Sequence, residues 1–119
     1  MKILLIDDSL FSRNMLKRAL GDAHTYIEAS DGMRGIELYF LEKPNLVILD
    51  LTMPGVNGMD TLAQLRKLDP QAHVIIGTSD VQEFSRREAR QLGAMGFIDK
   101  PFTIEGVQKV VSKILEEIS

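Results

Sequence analysis

Four short runs of consecutive apolar residues divide the chain, and each leads into a polar or charged group. Ile3-Leu4-Leu5-Ile6 runs into Asp7-Asp8, and Leu46-Val47-Ile48-Leu49 runs into Asp50. Val74-Ile75-Ile76-Gly77 runs into Thr78, and Met95-Gly96-Phe97-Ile98 leads through Asp99 to Lys100-Pro101. Unbroken runs of this length, rich in Ile, Leu and Val, predict strands of a parallel sheet covered on both faces. The segment His24 to Ala29 predicts a further strand, whose polar content puts it towards an edge.

The segments between these runs carry helical periodicity. Phe11, Met15 and Ala19 fall at i, i+4 and i+8, with Leu16 and Leu20 beside them and Gly21 placed as a stop. Met33, Ile36 and Phe40 mark a second helix, ended by Pro44, and Leu62, Leu65 and Leu68 a third, ended by Pro70. A fourth, about Val81 to Leu92, has only a thin apolar stripe of Val81, Phe84, Ala89 and Leu92 amid Arg86, Arg87 and Arg90. The fifth is the clearest, with Ile104, Val107, Val111, Ile114 and Ile118 on one face. Asp31-Gly32 and Asn57-Gly58 are hairpin dipeptides in isolation, but each precedes a helical pattern, so both read as helix starts. Five β-α units with short connections predict right-handed crossovers and a parallel sheet.

Composition changes this picture little. With 119 residues, 45% hydrophobic and 26% charged, residues 1–119 read as a single globular domain. A net charge of −3 gives no reason to expect non-specific nucleic-acid or membrane-surface binding. The apolar run before Asp7 is too short for a signal peptide, and no run reaches the ~20 residues of a membrane span. The absence of cysteine removes disulfides and thiolate metal sites, and a cytoplasmic location is expected.

Parallel strands gather their carboxyl ends along one edge, where open α/β sheets bind ligands. Asp7, Asp8, Asp50, Thr78 and Lys100 therefore converge. Carboxylates ~5 Å apart repel by about 3 kcal/mol per pair at an effective dielectric near 20, and Lys100 balances only one of three charges. A divalent cation is the natural partner, and hard oxygen donors without Cys or a nearby His favour Mg²⁺, or Mn²⁺, over zinc. The set suits a phosphoryl group: one carboxylate can attack it, the metal and Lys100 can neutralise its oxygens, and Thr78 can hydrogen-bond to one.

With these residues in view, the chain resembles the receiver domains of two-component response regulators over essentially its whole length. The resemblance is carried by Asp7-Asp8, Asp50 followed by Met53-Pro54-Gly55, Asn57-Gly58, Thr78-Ser79, Gly93-Ala94 and Lys100-Pro101-Phe102, in order and at the family's spacing. It implies a flavodoxin-like (βα)5 doubly wound α/β fold with sheet order 2-1-3-4-5. It implies that Asp50 is the phosphoacceptor, taking its phosphoryl group from a sensor histidine kinase or a small phosphodonor. It further implies that Asp7 and Asp8 bind Mg²⁺ with Asp50 and the backbone carbonyl of Thr52, and that Lys100 contacts the phosphate. Thr78 and Phe97 match the switch hydroxyl and switch aromatic, and a face formed by the fourth helix, fifth strand and fifth helix would meet a downstream protein target. At position 97 the phenylalanine offers no hydroxyl to a partner, where tyrosine is common in the chemotaxis branch. Lys100-Pro101 matches the family's cis peptide.

Each residue has a plainer role to set beside this. Asp7 or Asp8 could cap a helix, but Ser9 serves that need. His24 and His73 lack a ligand partner at suitable spacing and read as boundary residues, and the arginines of the fourth helix read first as a solvated face. The main rival function is a haloacid-dehalogenase-like phosphatase, which also places an aspartate nucleophile after an apolar strand. That motif needs a second Asp two residues on, where this chain has Thr52. A pseudo-receiver would not need the complete acidic, hydroxyl and lysine set. The expectation is a phosphoacceptor switch rather than an enzyme, without direct nucleic-acid binding or membrane insertion. The segment Asp7-Asp8-Ser9-Leu10-Phe11-Ser12-Arg13 resembles the chemotaxis-type single-domain branch, with a receiver cut from a longer regulator, or a phosphorelay shuttle, as alternatives.

Overall fold

A computed structural model describes residues 1–51, 57–79 and 83–118. Five strands alternate with five helices: β1 (Lys2–Ile6), α1 (Leu10–Leu20), β2 (Thr25–Ala29), α2 (Gly32–Glu42), β3 (Leu46–Leu49), α3 (Gly58–Leu68), β4 (Val74–Thr78), α4 (Glu83–Gln91), β5 (Ala94–Asp99) and α5 (Ile104–Ile118). The strands form one parallel sheet of order β2-β1-β3-β4-β5. The expected architecture is therefore present, with the polar strand β2 at an edge.

Alternation along the buried strands builds two cores. Leu4, Ile6, Val47, Leu49, Val74 and Ile76 face one way, against Leu62 and Leu65 of α3, Tyr39 of α2 and Ala89 of α4. Ile3, Leu5, Leu46, Ile48 and Ile75 face the other, against Leu16 and Ala19 of α1 and Val107, Val111 and Ile114 of α5. Ser9, Asp31 and Asn57 cap α1, α2 and α3, each accepting from the amide three residues on. Asp31-Gly32 and Asn57-Gly58 are thus helix starts.

Several stripe residues read from periodicity lie elsewhere. Phe11, Met33, Phe40, Leu68 and Ile104 are exposed. The reason is clearest in α2, whose buried residues are Gly32, Gly35 and Tyr39, with Ile36 and Leu38 partly buried against the core beside them. A Cβ on Gly35 would stand 2.4 Å from Ile6 Cδ1, so the absent side chain is what lets this helix approach. Phe11 and Ile104 sit in first turns, at the ends of helices whose burial is carried further along. In α4, Ala89 is buried and Leu92 packs nearby, whereas Val81 and the Phe84 side chain lie outside what is described.

Tyr39 also ties α2 to the end of α3, its hydroxyl donating to Asp69 Oδ2 at 2.6 Å. This bond, then the Gln71 amide, holds the Asp69 carboxyl below its ordinary value. A depressed carboxyl binds fewer protons folded than unfolded, so its contribution is complete above the unfolded pKa and is lost as pH falls through the folded one. Tyr39→Phe is expected to cost about 1 kcal/mol at pH 7. Its deficit relative to the parent should shrink on acidification below about pH 4. Urea unfolding of both proteins at pH 7 and pH 3 checks this; an equal deficit at the two values would disprove the linkage.

Candidate functional site

Hydrogen bonds that extend the strands set the spacing of the site. Just past β1, the Asp7 amide donates to Ala29 O at 3.0 Å; just past β3, the Asp50 amide donates to Ile6 O at 2.9 Å. The Lys100 amide donates to Thr78 O at 3.0 Å, fixing the turn after β5 against the end of β4. Asp7, Asp50, Thr78 and Lys100 thus lie along adjacent strands at the carboxyl edge. Asp7, Asp50 and Thr78 are almost fully buried, at 2%, 2% and 0% exposure, whereas Asp8 is exposed.

The side chains converge as the topology requires. Lys100 Nζ lies 2.9 Å from Asp7 Oδ2 and 3.2 Å from Asp50 Oδ2. Asp7, Asp8 and Asp50 each bring an oxygen within 4.8 Å of the others. Burial raises the Asp7 carboxyl above its ordinary value even though the Ser9 amide and Lys100 pull it down. Burial also opposes the charge on Lys100, but the hydrogen bond and charge of Asp7, with Asp50 behind, outweigh it and hold the ammonium above its ordinary value. One cation among three carboxylates leaves the pocket short of positive charge. This hard, all-oxygen donor set could hold a metal ion, and its chemistry fits Mg²⁺.

Glycines and one aromatic ring brace this arrangement. Gly58 opens α3 against the Asp50 main chain, its amide donating to Leu51 O at 3.0 Å. Gly77 leaves room for Phe102, whose Cζ would be 2.7 Å from a Cβ there. The buried Phe102 ring in turn lies 5.5 Å from the Lys100 ammonium. The Lys100-Pro101 peptide between them is cis.

Phe97 lies on β5 opposite Ile76, half-buried against the core on the α3 and α4 side. Arg86 and Arg90 both stack on its ring, at 5.1 and 5.0 Å from the centroid, and Arg86 also pairs with Asp99. These two arginines are therefore not simply a solvated face. Sequence reading also passed over Arg13, whose Nη1 donates to the Asp7 carbonyl at 2.6 Å. Its place four residues after the Ser9 cap, one turn into α1, was the available signal. Thr52 and the Met53-Pro54-Gly55 segment lie outside the described residues. His24 and His73 are boundary residues at the far end of the strands, where His73 Nδ1 lies 3.4 Å from Asn45 O.

Comparison with known proteins follows the same outline. The family model described as response regulator receiver domain matches residues 3–112. Chemotaxis protein CheY of Halobacterium salinarum is 36% identical over 96% of this chain and 96% of its own. Sporulation initiation phosphotransferase F of Bacillus subtilis is 30% identical over 96% of this chain and 93% of its own. Among solved structures, the response regulator domain of Thermotoga maritima CheB superposes with a TM-score of 0.80 at 30% identity, covering 99% of this chain and 92% of that one.

Proposed function

Since this chain belongs to the response regulator receiver family, as a phosphoacceptor switch of two-component signalling, we propose that Asp50 is its phosphoacceptor. The observation that carries this reading is the convergence of Lys100 and three carboxylates at the carboxyl edge of the sheet, with Asp50 buried and 3.2 Å from the ammonium. The family is one of signalling domains rather than catalytic enzymes, which removes the phosphatase alternative.

In this reading Asp7, Asp8 and Asp50, with the carbonyl of Thr52, would hold Mg²⁺, which would supply positive charge to the phosphoryl oxygens. An Asp50 carboxylate oxygen attacks phosphorus, an O–P bond forms, and the bond to the donor's leaving group breaks. With a histidine kinase as donor, the bond broken is P–N and the freed imidazole keeps the electron pair. Lys100, already beside Asp50, pairs with a transferred oxygen, and the Thr78 hydroxyl donates to another. The new charge draws Thr78 inward, and Phe97 turns into the vacated space, shifting the population between two states. In this chain that turn must break two guanidinium contacts, each worth about 0.5–1 kcal/mol at a partly exposed site.

The output face comprises α4, edge strand β5 and α5. A groove of about 280 Å³ there is lined by Met95, Phe97 and Val110 together with Lys109, Lys113 and Glu117, and suits a protein partner. The proposed partners are a sensor histidine kinase and a downstream protein target, in the cytoplasm where such phosphodonors are made. No helix among the described residues is long and apolar enough to cross a membrane. Coverage of more than nine-tenths of the curated relatives supports residues 1–119 as one receiver domain. Likeness to the sporulation phosphotransferase keeps a relay shuttle as a second reading.

Incubation with acetyl phosphate or phosphoramidate should add one phosphoryl mass with Mg²⁺ and none in EDTA, the adduct being base-labile and acid-stable. Equal uptake with and without the metal would remove Mg²⁺ from the mechanism.

A further inference from the structure

We propose that Arg13, braced by Glu28, is a positioning residue that holds the Asp8 carboxylate in place for the metal. The inference rests on the reading of Asp7, Asp8 and Asp50 as metal ligands.

The two acidic neighbours are held very differently. Asp7 is secured at every polar atom: its amide to Ala29 O, Oδ1 by the Ser9 amide at 2.9 Å, Oδ2 by Lys100, and its carbonyl by Arg13. Asp8 is exposed, and its carboxylate has no hydrogen-bond partner among the described residues. Its oxygen nevertheless lies within 4.8 Å of those of Asp7 and Asp50. The direction of its side chain is therefore set by the main chain, and above all by the plane of the Asp7-Asp8 peptide. The carbonyl of that peptide is the atom Arg13 grips.

Arg13 is itself rigidly placed. Its Nε donates to Glu28 Oε1 at 2.9 Å while Nη1 reaches Asp7 O, so one planar guanidinium spans two anchors. Lys17 Nζ holds the other Glu28 oxygen at 2.9 Å, and the Arg13 side chain is only 14% exposed. The chain of contacts runs from β2 through α1 to the loop after β1. Groups that orient metal ligands from behind typically change affinity 10- to 100-fold when lost.

Charge and geometry predict opposite signs here, which makes the idea testable. Removing a cation beside an acidic metal site would by itself tighten Mg²⁺ binding; freeing the peptide would weaken it. Calorimetric titration with MgCl₂, well below the unfolding temperature, should show Arg13→Ala weaker by about tenfold or more. Arg13→Lys keeps the charge but cannot span both anchors, and should weaken binding similarly; Glu28→Gln should show a smaller loss in the same direction. Thermal midpoints without metal register any purely structural damage separately. Wild-type protein that binds no Mg²⁺ would sink the metal-site reading, and this inference with it. Wild-type binding that Asp8→Asn weakens but the Arg13 variants leave within twofold would overturn the positioning role alone, as would tighter binding by Arg13→Ala. If Arg13→Ala does not fold, Arg13→Lys and Glu28→Gln decide the question by the same criterion.

Discussion

Asp50→Asn is expected to abolish phosphoryl uptake while leaving a folded protein at least as stable as the parent. The amide is close in shape to the carboxylate but lacks the charged oxygen that attacks phosphorus. The stability effect follows from opposing terms. Asp50 attracts Lys100 at 3.2 Å, worth about 5 kcal/mol at an effective dielectric near 20, and repels Asp7 and Asp8 by about 3.5 kcal/mol or more each within 4.8 Å. The repulsion is slightly the larger, so without metal the variant should hold its stability or gain about 2 kcal/mol. With saturating Mg²⁺ the variant should gain less stability than the parent, because one ligand is lost. Intact mass after acetyl phosphate treatment, with circular dichroism on the same samples, checks both halves. Full phosphorylation of the variant, or its unfolding, would show that Asp50 has been given the wrong role.

Gly58→Ala is expected to destabilise the fold strongly. A Cβ at Gly58 would stand 2.2 Å from Asp50 O, 2.2 Å from Leu51 Cα and 2.8 Å from Asp50 C. All three are main-chain atoms, which cannot swing aside as a side chain would. Relief requires either α3 to retreat, pulling Leu62 and Leu65 from the core, or the Asp50 main chain to move away from β1. Overpacking of this kind costs about 3 kcal/mol or more, lowering the thermal midpoint by roughly 10 °C or more in a domain of this size. Gly96→Ala is the matched control, since its Cβ would meet only side-chain atoms, none nearer than 3.3 Å. Differential scanning calorimetry of both should show a large drop for the first and a small one for the second. Comparable midpoints would mean that the contact at Gly58 relaxes at little cost.

The parts of this molecule legible in the sequence are those written in hydrophobicity and charge. Unbroken apolar runs marked β1, β3, β4 and β5, and the polar residues ending them named the pocket, because parallel strands bring their carboxyl ends to one edge. Less legible were contacts made by closeness of approach. Gly35 carries no hydrophobic signal, so α2 seemed to turn Met33 and Phe40 inward when it actually rests on glycine. Nor does periodicity reveal that Arg86 and Arg90 lie over Phe97, since a guanidinium counts as polar wherever it stacks. Arg13 escaped for a related reason: its partners are a main-chain carbonyl and a strand residue 15 positions away.

The sheet order also bears on how the protein is made. β1 is made before the other strands but lies inside the sheet, between β2 and β3, and its acidic end is completed by a lysine from the β5-α5 connection. Asp50 and Lys100 meet across 50 residues of chain. A polypeptide still emerging from the ribosome, with β5 not yet released, would expose its carboxylates without the ammonium that offsets them. Contacts this distant in sequence form late, after the intervening loops have closed. The site is therefore absent until Lys100 has emerged, so a copy cut short before the end of β5 cannot answer a signal.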